Sequence, residues 1–148
     1  MVDREPVLIL HVEDNPDHAK LVQICFLDHP VPNTIKHVSD GEAALDYLFR
    51  RGPFANPEAS PIPKVILLDL RLPRMDGLEV LKIVKENERL RGIPVVVLTT
   101  SESDSDIRQA YQLHTNSYLV KPVDYESFSK MMNDMGSYWF ERNRAPRL

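Results

Sequence analysis

The chain has 148 residues, 43% of them hydrophobic and 27% charged, with a formal net charge of −4. That balance fits one globular domain with a real core, and it argues against disorder and against a generally basic nucleic-acid footprint. No run of about 18 apolar residues offers a membrane span, and the single cysteine, Cys25, excludes an intrachain disulfide.

Met1 to Pro6 carries Asp3, Arg4 and Glu5 without an apolar stretch. No secretory signal is expected, and the cytoplasm is the default compartment. Val7 to Val12 is a short apolar run bounded by Pro6 and the acidic pair Glu13-Asp14, and it predicts a buried strand. Asn15-Pro16 predicts a helix start, with Asn15 as cap and Pro16 at the first helical position. Ala19, Val22 and Cys25 or Phe26 then recur at helical spacing until Pro30 stops the pattern. This places Cys25 in a buried stripe.

Thr34 to Val38 predicts a second, more polar strand, and Asp40 a cap for a helix bearing Ala44, Leu45 and Leu48. Residues 50–63, rich in Pro, Gly, Ala and Asn, predict a long loop, the least structured internal segment. Val65 to Leu68 reads as a central parallel strand covered on both faces, ending in Asp69. Asp76-Gly77 opens a helix expected to end near Arg91-Gly92. Pro94 to Leu98 is another buried strand, followed by Thr99-Thr100-Ser101. A helix is expected from Asp104 to His114 and a fifth strand from Ser117 to Val120, leading into Lys121-Pro122. Asp124 caps a last helix with Phe128, Met131 or Met132, Met135 and Trp139 along one side. His11, His29, His37 and His114 show no metal-ligand spacing and read as incidental.

Strand and helix alternate five times. The expected fold is α/β: a doubly wound sheet of five parallel strands with five helices on its two faces. One domain is expected over 1–148, with a core at about 6–142 and a short tail at 143–148.

The residues with chemistry to offer each lie where a strand stops: Glu13-Asp14, Asp69, Thr99 and Lys121. Strand ends of such a sheet converge on one crevice. Three carboxylates in one crevice repel one another and raise one another's pKa unless a cation neutralises them. A hard divalent ion with oxygen ligands does this, magnesium being the usual one where phosphate oxygens complete the octahedron. A carboxylate so placed can attack phosphorus, with the metal and Lys121 stabilising the transferring oxygens.

These motifs resemble the receiver domain of bacterial two-component response regulators. The likeness rests on Glu13-Asp14, the run from Leu68 to Gly77, Leu98-Thr99-Thr100 and Tyr118 to Pro122; it covers about residues 6–142 and implies the flavodoxin-like strand order 2-1-3-4-5. The resemblance implies that Asp69 takes a phosphoryl group from a phosphohistidine of a sensor histidine kinase. It implies Mg2+ (or Mn2+) held by Asp14, Asp69 and the main-chain carbonyl of Arg71, with Glu13 acting directly or through water. It further implies phosphate contacts from Lys121 and Thr99, a switch in which Thr99 and Tyr118 move together, and a Lys121–Pro122 bond that is often cis.

The Glu-Asp pair, the 50–63 loop, Thr99-Thr100-Ser101 and the closing Ser137 to Glu141 are similar to small stand-alone regulators that partner phytochrome-type histidine kinases. That subgroup commonly dimerises, and the exposed aromatics expected near 138–140, on a last helix longer than a minimal receiver needs, would extend such an interface. Signalling is expected through the fourth helix, fifth strand and fifth helix, roughly 104–142. Arg71 and Ser101 are expected to modulate the hydrolysis rate, Arg71 by reaching over the phosphoryl group. A haloacid-dehalogenase-type phosphatase needs an acid where Arg71 stands, and no room remains for a helix-turn-helix module. A phosphoacceptor signalling protein is expected rather than an enzyme, with no nucleic-acid or membrane partner.

Overall fold

The computed structural model describes residues 6–144. The expected absence of a signal in residues 1–5 and the tail at 145–148 lie outside the described residues. Five strands, β1 (Val7–Val12), β2 (Asn33–Val38), β3 (Val65–Leu68), β4 (Val95–Thr99) and β5 (Ser117–Val120), form one sheet. Its order is β2-β1-β3-β4-β5, and every pairing is parallel. Between the strands run α1 (Pro16–Leu27), α2 (Gly41–Phe49), α3 (Gly77–Glu86) and α4 (Asp104–Gln112), and α5 (Tyr125–Gly136) follows β5. The expected α/β class, strand order and five helices are all observed.

The two-residue period of the central strands sorts their side chains between two cores. Leu10, Val12, Ile66, Leu68, Val95 and Val97 pack with α2 and α3. Ile9, Val65, Leu67, Val96 and Leu98 pack with α1, α5 and the segment after α5. Each fully buried aliphatic side chain contributes roughly 1.5–3 kcal/mol, so the two faces clamp β3 and β4 from both sides. The helices are not equally anchored: α5 buries Phe128, Met132 and Met135, whereas α4 buries only Asp106 and Ala110.

Capping follows the sequence. Asn15, Asp40, Asp76 and Asp124 each accept a backbone N–H of the helix they precede. Ser103 does the same for α4 by accepting from Asp106 N–H.

Five expectations are corrected. Helix α3 stops at Glu86, short of Arg91-Gly92, because Asn87 leaves the helical region and its side chain accepts from Arg89 and Leu90 N–H, starting a separate turn. The 50–63 segment is tied down rather than unstructured. It opens with a 3-10 turn at Gly52–Phe54; Tyr47 donates to the Pro61 carbonyl at 2.7 Å, and buried Ser60 donates to Phe54 and Asn56 carbonyls. Cys25 is half-buried, not buried, and burial pushes its thiol pKa up, away from reactivity. The Lys121–Pro122 bond is trans, as are the other described peptide bonds. Beyond α5 the chain continues as a π-helical turn, Ser137–Arg142, and the aromatics expected to be exposed there are mostly not: Trp139 and Phe140 are buried against the sheet-face core of α1 and α5, leaving only Tyr138 half-exposed.

Candidate functional site

Register makes the site. Val12 pairs with Leu68, so Glu13 and Asp69 step off neighbouring strands side by side, and Asp69 N–H donates to the Val12 carbonyl at 3.1 Å. Thr99 pairs with Val120, and Lys121 N–H donates to the Thr99 carbonyl at 2.8 Å. Gly77 is required immediately behind. A Cβ there would lie 2.3 Å from the Asp69 carbonyl oxygen, so only glycine lets α3 start against the backbone that presents Asp69.

Carboxylate oxygens of Glu13, Asp14 and Asp69 lie within 4.8 Å of one another, with Glu13 and Asp69 buried and Asp14 exposed. Lys121 Nζ reaches into this group, donating to Glu13 Oε1 at 2.5 Å and to Asp69 Oδ2 at 3.0 Å. Three carboxylates against one ammonium leave two formal negative charges, which one divalent cation balances. An all-oxygen, carboxylate-rich set is what magnesium or manganese takes, so these residues fit the implied ion.

The two buried acids are tuned in opposite directions. Burial pushes Glu13 up to about 7; the hydrogen bond from Lys121 opposes this without overcoming it. Burial pushes Asp69 the same way, but the Lys121 charge, the Arg71 N–H bonded to Oδ1 at 3.1 Å and the Lys121 hydrogen bond outweigh it. Asp69 therefore stays below the usual carboxylate range. Asp69 is the anionic, polarised carboxylate of the site.

Two histidines prove to be structural parts of the site. His18, unremarked in the sequence, accepts the third Lys121 hydrogen at Nδ1, 2.9 Å away. An ammonium can only donate, so Nδ1 carries the lone pair and its 3.7 Å approach to Glu13 Oε1 is not an ion pair. Burial and the Lys121 charge lower its pKa, in keeping with a neutral ring. His18 stands four residues beyond Asp14, one turn into α1, and that spacing was the available signal. His37 on β2, read as incidental, bonds through Nε2 to the Glu13 carbonyl at 2.8 Å and so fixes the acidic pair. His11, beneath them on β1, has an unpartnered Nδ1 among the described atoms, and burial with nearby His37 lowers its pKa to about 3.

The remaining expected residues flank this centre. Thr99 is fully buried, and its hydroxyl accepts from Ser101 N–H at 3.4 Å. Half-buried Tyr118 donates its hydroxyl to the Ser101 carbonyl at 3.0 Å. The Arg71 guanidinium does not reach over Asp69 but pairs with Asp106 on α4, a residue the sequence did not single out.

The sequence matches the family described as response regulator receiver domain over residues 9–133. It is 47% identical to a probable methanogenesis regulatory protein, FilR2, of Methanothrix harundinacea, covering 96% of this chain and 89% of that one. It is 40% identical to response regulator Rcp1 of Synechocystis, covering 95% and 94%. The Mn(2+)-bound crystal structure of Rcp1 superposes with a TM-score of 0.89 over 96% of this chain and 100% of that one. The phosphorylated cyanobacterial phytochrome response regulator RcpA gives a TM-score of 0.91 at 36% identity, over 97% of this chain and 100% of that one. With the motifs, the sheet order and the strand-end geometry in agreement, the chain belongs to the response regulator receiver-domain family.

Proposed function

We propose that this protein is a stand-alone, cytoplasmic response regulator whose Asp69 accepts a phosphoryl group from the phosphohistidine of a sensor histidine kinase. The observation that carries the reading is Lys121 Nζ bridging Asp69 Oδ2 and Glu13 Oε1 beside the three-carboxylate group. Asp69 is low in pKa and therefore anionic at neutral pH. One of its oxygens attacks phosphorus as the phosphorus–nitrogen bond of the donor breaks, the imidazole taking the bonding pair, and an acyl phosphate remains.

Glu13, Asp14 and Asp69 would hold Mg2+, with the Arg71 main-chain carbonyl as the further ligand that the family resemblance implies. When bound, the ion neutralises charge on the transferring oxygens. Lys121 exchanges its Asp69 contact for a phosphoryl oxygen. Thr99 turns its hydroxyl from Ser101 to the phosphoryl group, and Tyr118 follows; the loosely anchored α4 lets the surface of α4, β5 and α5 respond. Slow hydrolysis of the acyl phosphate resets the protein, which makes it a phosphoacceptor rather than a turnover enzyme.

A phytochrome-type kinase is the proposed donor, supported by the likeness to the phytochrome response regulator RcpA. A homodimer through the last helix and its aromatic end is supported by Tyr138 alone, half-exposed on the turn after α5, since Trp139 and Phe140 are buried in the protein's own core. The likeness to FilR2, a probable methanogenesis regulatory protein, favours a second reading in which the donor kinase serves a signal other than light. Acetyl phosphate with Mg2+, followed by intact mass, tests the acceptor. A phosphoryl increment is expected on the wild type and none on Asp69→Asn; an unlabelled wild type overturns the reading. Phosphotransfer profiling with purified kinases then separates the two donor classes.

A further inference from the structure

Asp106 has no role in the reading above, yet it is among the few buried polar residues of the molecule. A carboxylate on the first turn of a helix is commonplace at the surface, but a buried one must be partnered. Its Oδ2 accepts both the Ser101 hydroxyl, at 2.5 Å, and the Arg71 guanidinium. Arg71 follows β3, Ser101 follows β4, and the Ser101 carbonyl in turn accepts the Tyr118 hydroxyl from β5. One carboxylate thus links the loops after two strands to the tyrosine of a third. It does so from α4, which buries only one apolar side chain, Ala110.

We propose that Asp106 is the positioning residue of a charge latch: it engages Arg71 and Ser101 in the unphosphorylated protein, and a phosphoryl group on Asp69 competes with it for Arg71. This rests on the reading of Asp69 as phosphoacceptor. Arg71 N–H already donates to Asp69 Oδ1, so its side chain starts two residues from the incoming charge. A phosphoryl group presents more charge and more acceptor oxygens to a guanidinium than one carboxylate does. Once Arg71 exchanges partners, Asp106 is left buried with a hydroxyl alone, which is unfavourable. Relief comes from moving the 101–103 segment and the start of α4, and with them the acceptor of Tyr118. By linkage, whatever the Arg71–Asp106 pair contributes to the resting state is subtracted from the affinity for a phosphoryl group.

The test is a double-mutant cycle read by calorimetric binding of beryllofluoride, with Mg2+ present, to the full chain. Asp106→Asn keeps the size and removes the charge. It should tighten beryllofluoride binding about two- to fivefold, the range expected for a half-exposed guanidinium–carboxylate pair. In an Arg71→Ala background the same substitution should change affinity by a smaller factor, near one. A purely structural role for Asp106 at the start of α4 would act equally in both backgrounds, and that result overturns the latch. So does an unchanged affinity in Asp106→Asn. Asp106→Ser probes the same pair with a smaller neutral side chain: tightening there that vanishes in the Arg71→Ala background supports the latch if Asp106→Asn fails to fold, and unchanged affinity refutes it. If the wild type binds no beryllofluoride and takes no label from acetyl phosphate, the acceptor reading falls first and the latch with it.

Discussion

Two ion-pair clusters stand on the same rim of the sheet and differ in their access to water. Around Lys121 both charged partners are buried: its side chain is 5% exposed, with Glu13 at 1% and Asp69 at 8%. Around Asp106 the carboxylate is nearly as enclosed, but the Arg71 side chain is 58% exposed. Desolvated charges interact strongly and tolerate no missing partner, whereas a wet guanidinium exchanges partners at little cost. The first cluster suits chemistry, which needs fixed charge; the second suits switching, which needs a small energy difference.

The contrast can be broken experimentally, beginning with the largest effect. Asp69→Asn should abolish labelling by acetyl phosphate entirely, read as intact mass; residual labelling at the wild-type level would place the acceptor elsewhere. Lys121→Met should cost about 3 kcal/mol in urea unfolding without metal, because two buried carboxylates lose their cation. Magnesium should restore part of that loss, and an unchanged midpoint would deny that Lys121 is the cluster's counter-charge.

The next effect is a pH dependence with two opposed contributions. Glu13, pushed up to about 7, keeps its proton longer in the folded than in the unfolded chain. Its contribution to metal-free stability therefore declines as pH rises from about 4.5 towards 7. Asp69, held low, contributes stability at neutral pH that is lost on acidification below the ordinary carboxylate range. Magnesium needs Glu13 ionised, so calorimetric affinity should strengthen as pH climbs through 7. Glu13→Gln should flatten that slope, and an equally steep slope in the variant would assign the proton to another group. The smallest effect is expected at the exposed cluster. Arg71→Ala should change unfolding stability by less than about 1 kcal/mol, and a loss comparable to that of Lys121→Met would erase the distinction between the clusters.

How legible the protein was follows the range of the interactions involved. Val65 to Leu68 announced a doubly covered strand because burial on both faces leaves a continuous apolar run. Asn15, Asp40 and Asp124 announced helix starts because capping is a local bond. Asp69, Asp14 and Lys121 could be assembled in advance because parallel strands all point their ends to one crevice. The helix over 77–86 was read too long because the side chain of Asn87 competes with the helix in a way that apolar spacing does not register. The 50–63 segment was read correctly as a loop, but its order was not legible because it comes from Tyr47 and Ser60 side chains bonding to main-chain carbonyls.

Local patterning and the alternation of strands with helices were thus enough to specify a doubly wound parallel sheet and the residues at its rim, since these depend on periodicity and chain direction, whereas the strand order came from the family resemblance. Which charges touch was decided only in three dimensions. His18 meets Lys121 from 103 positions away and Asp106 meets Arg71 from 35. Such pairs are set by how far each loop carries its side chain across the rim, and by how much water the surrounding helices leave there. Neither quantity is written in the spacing of residues along the chain.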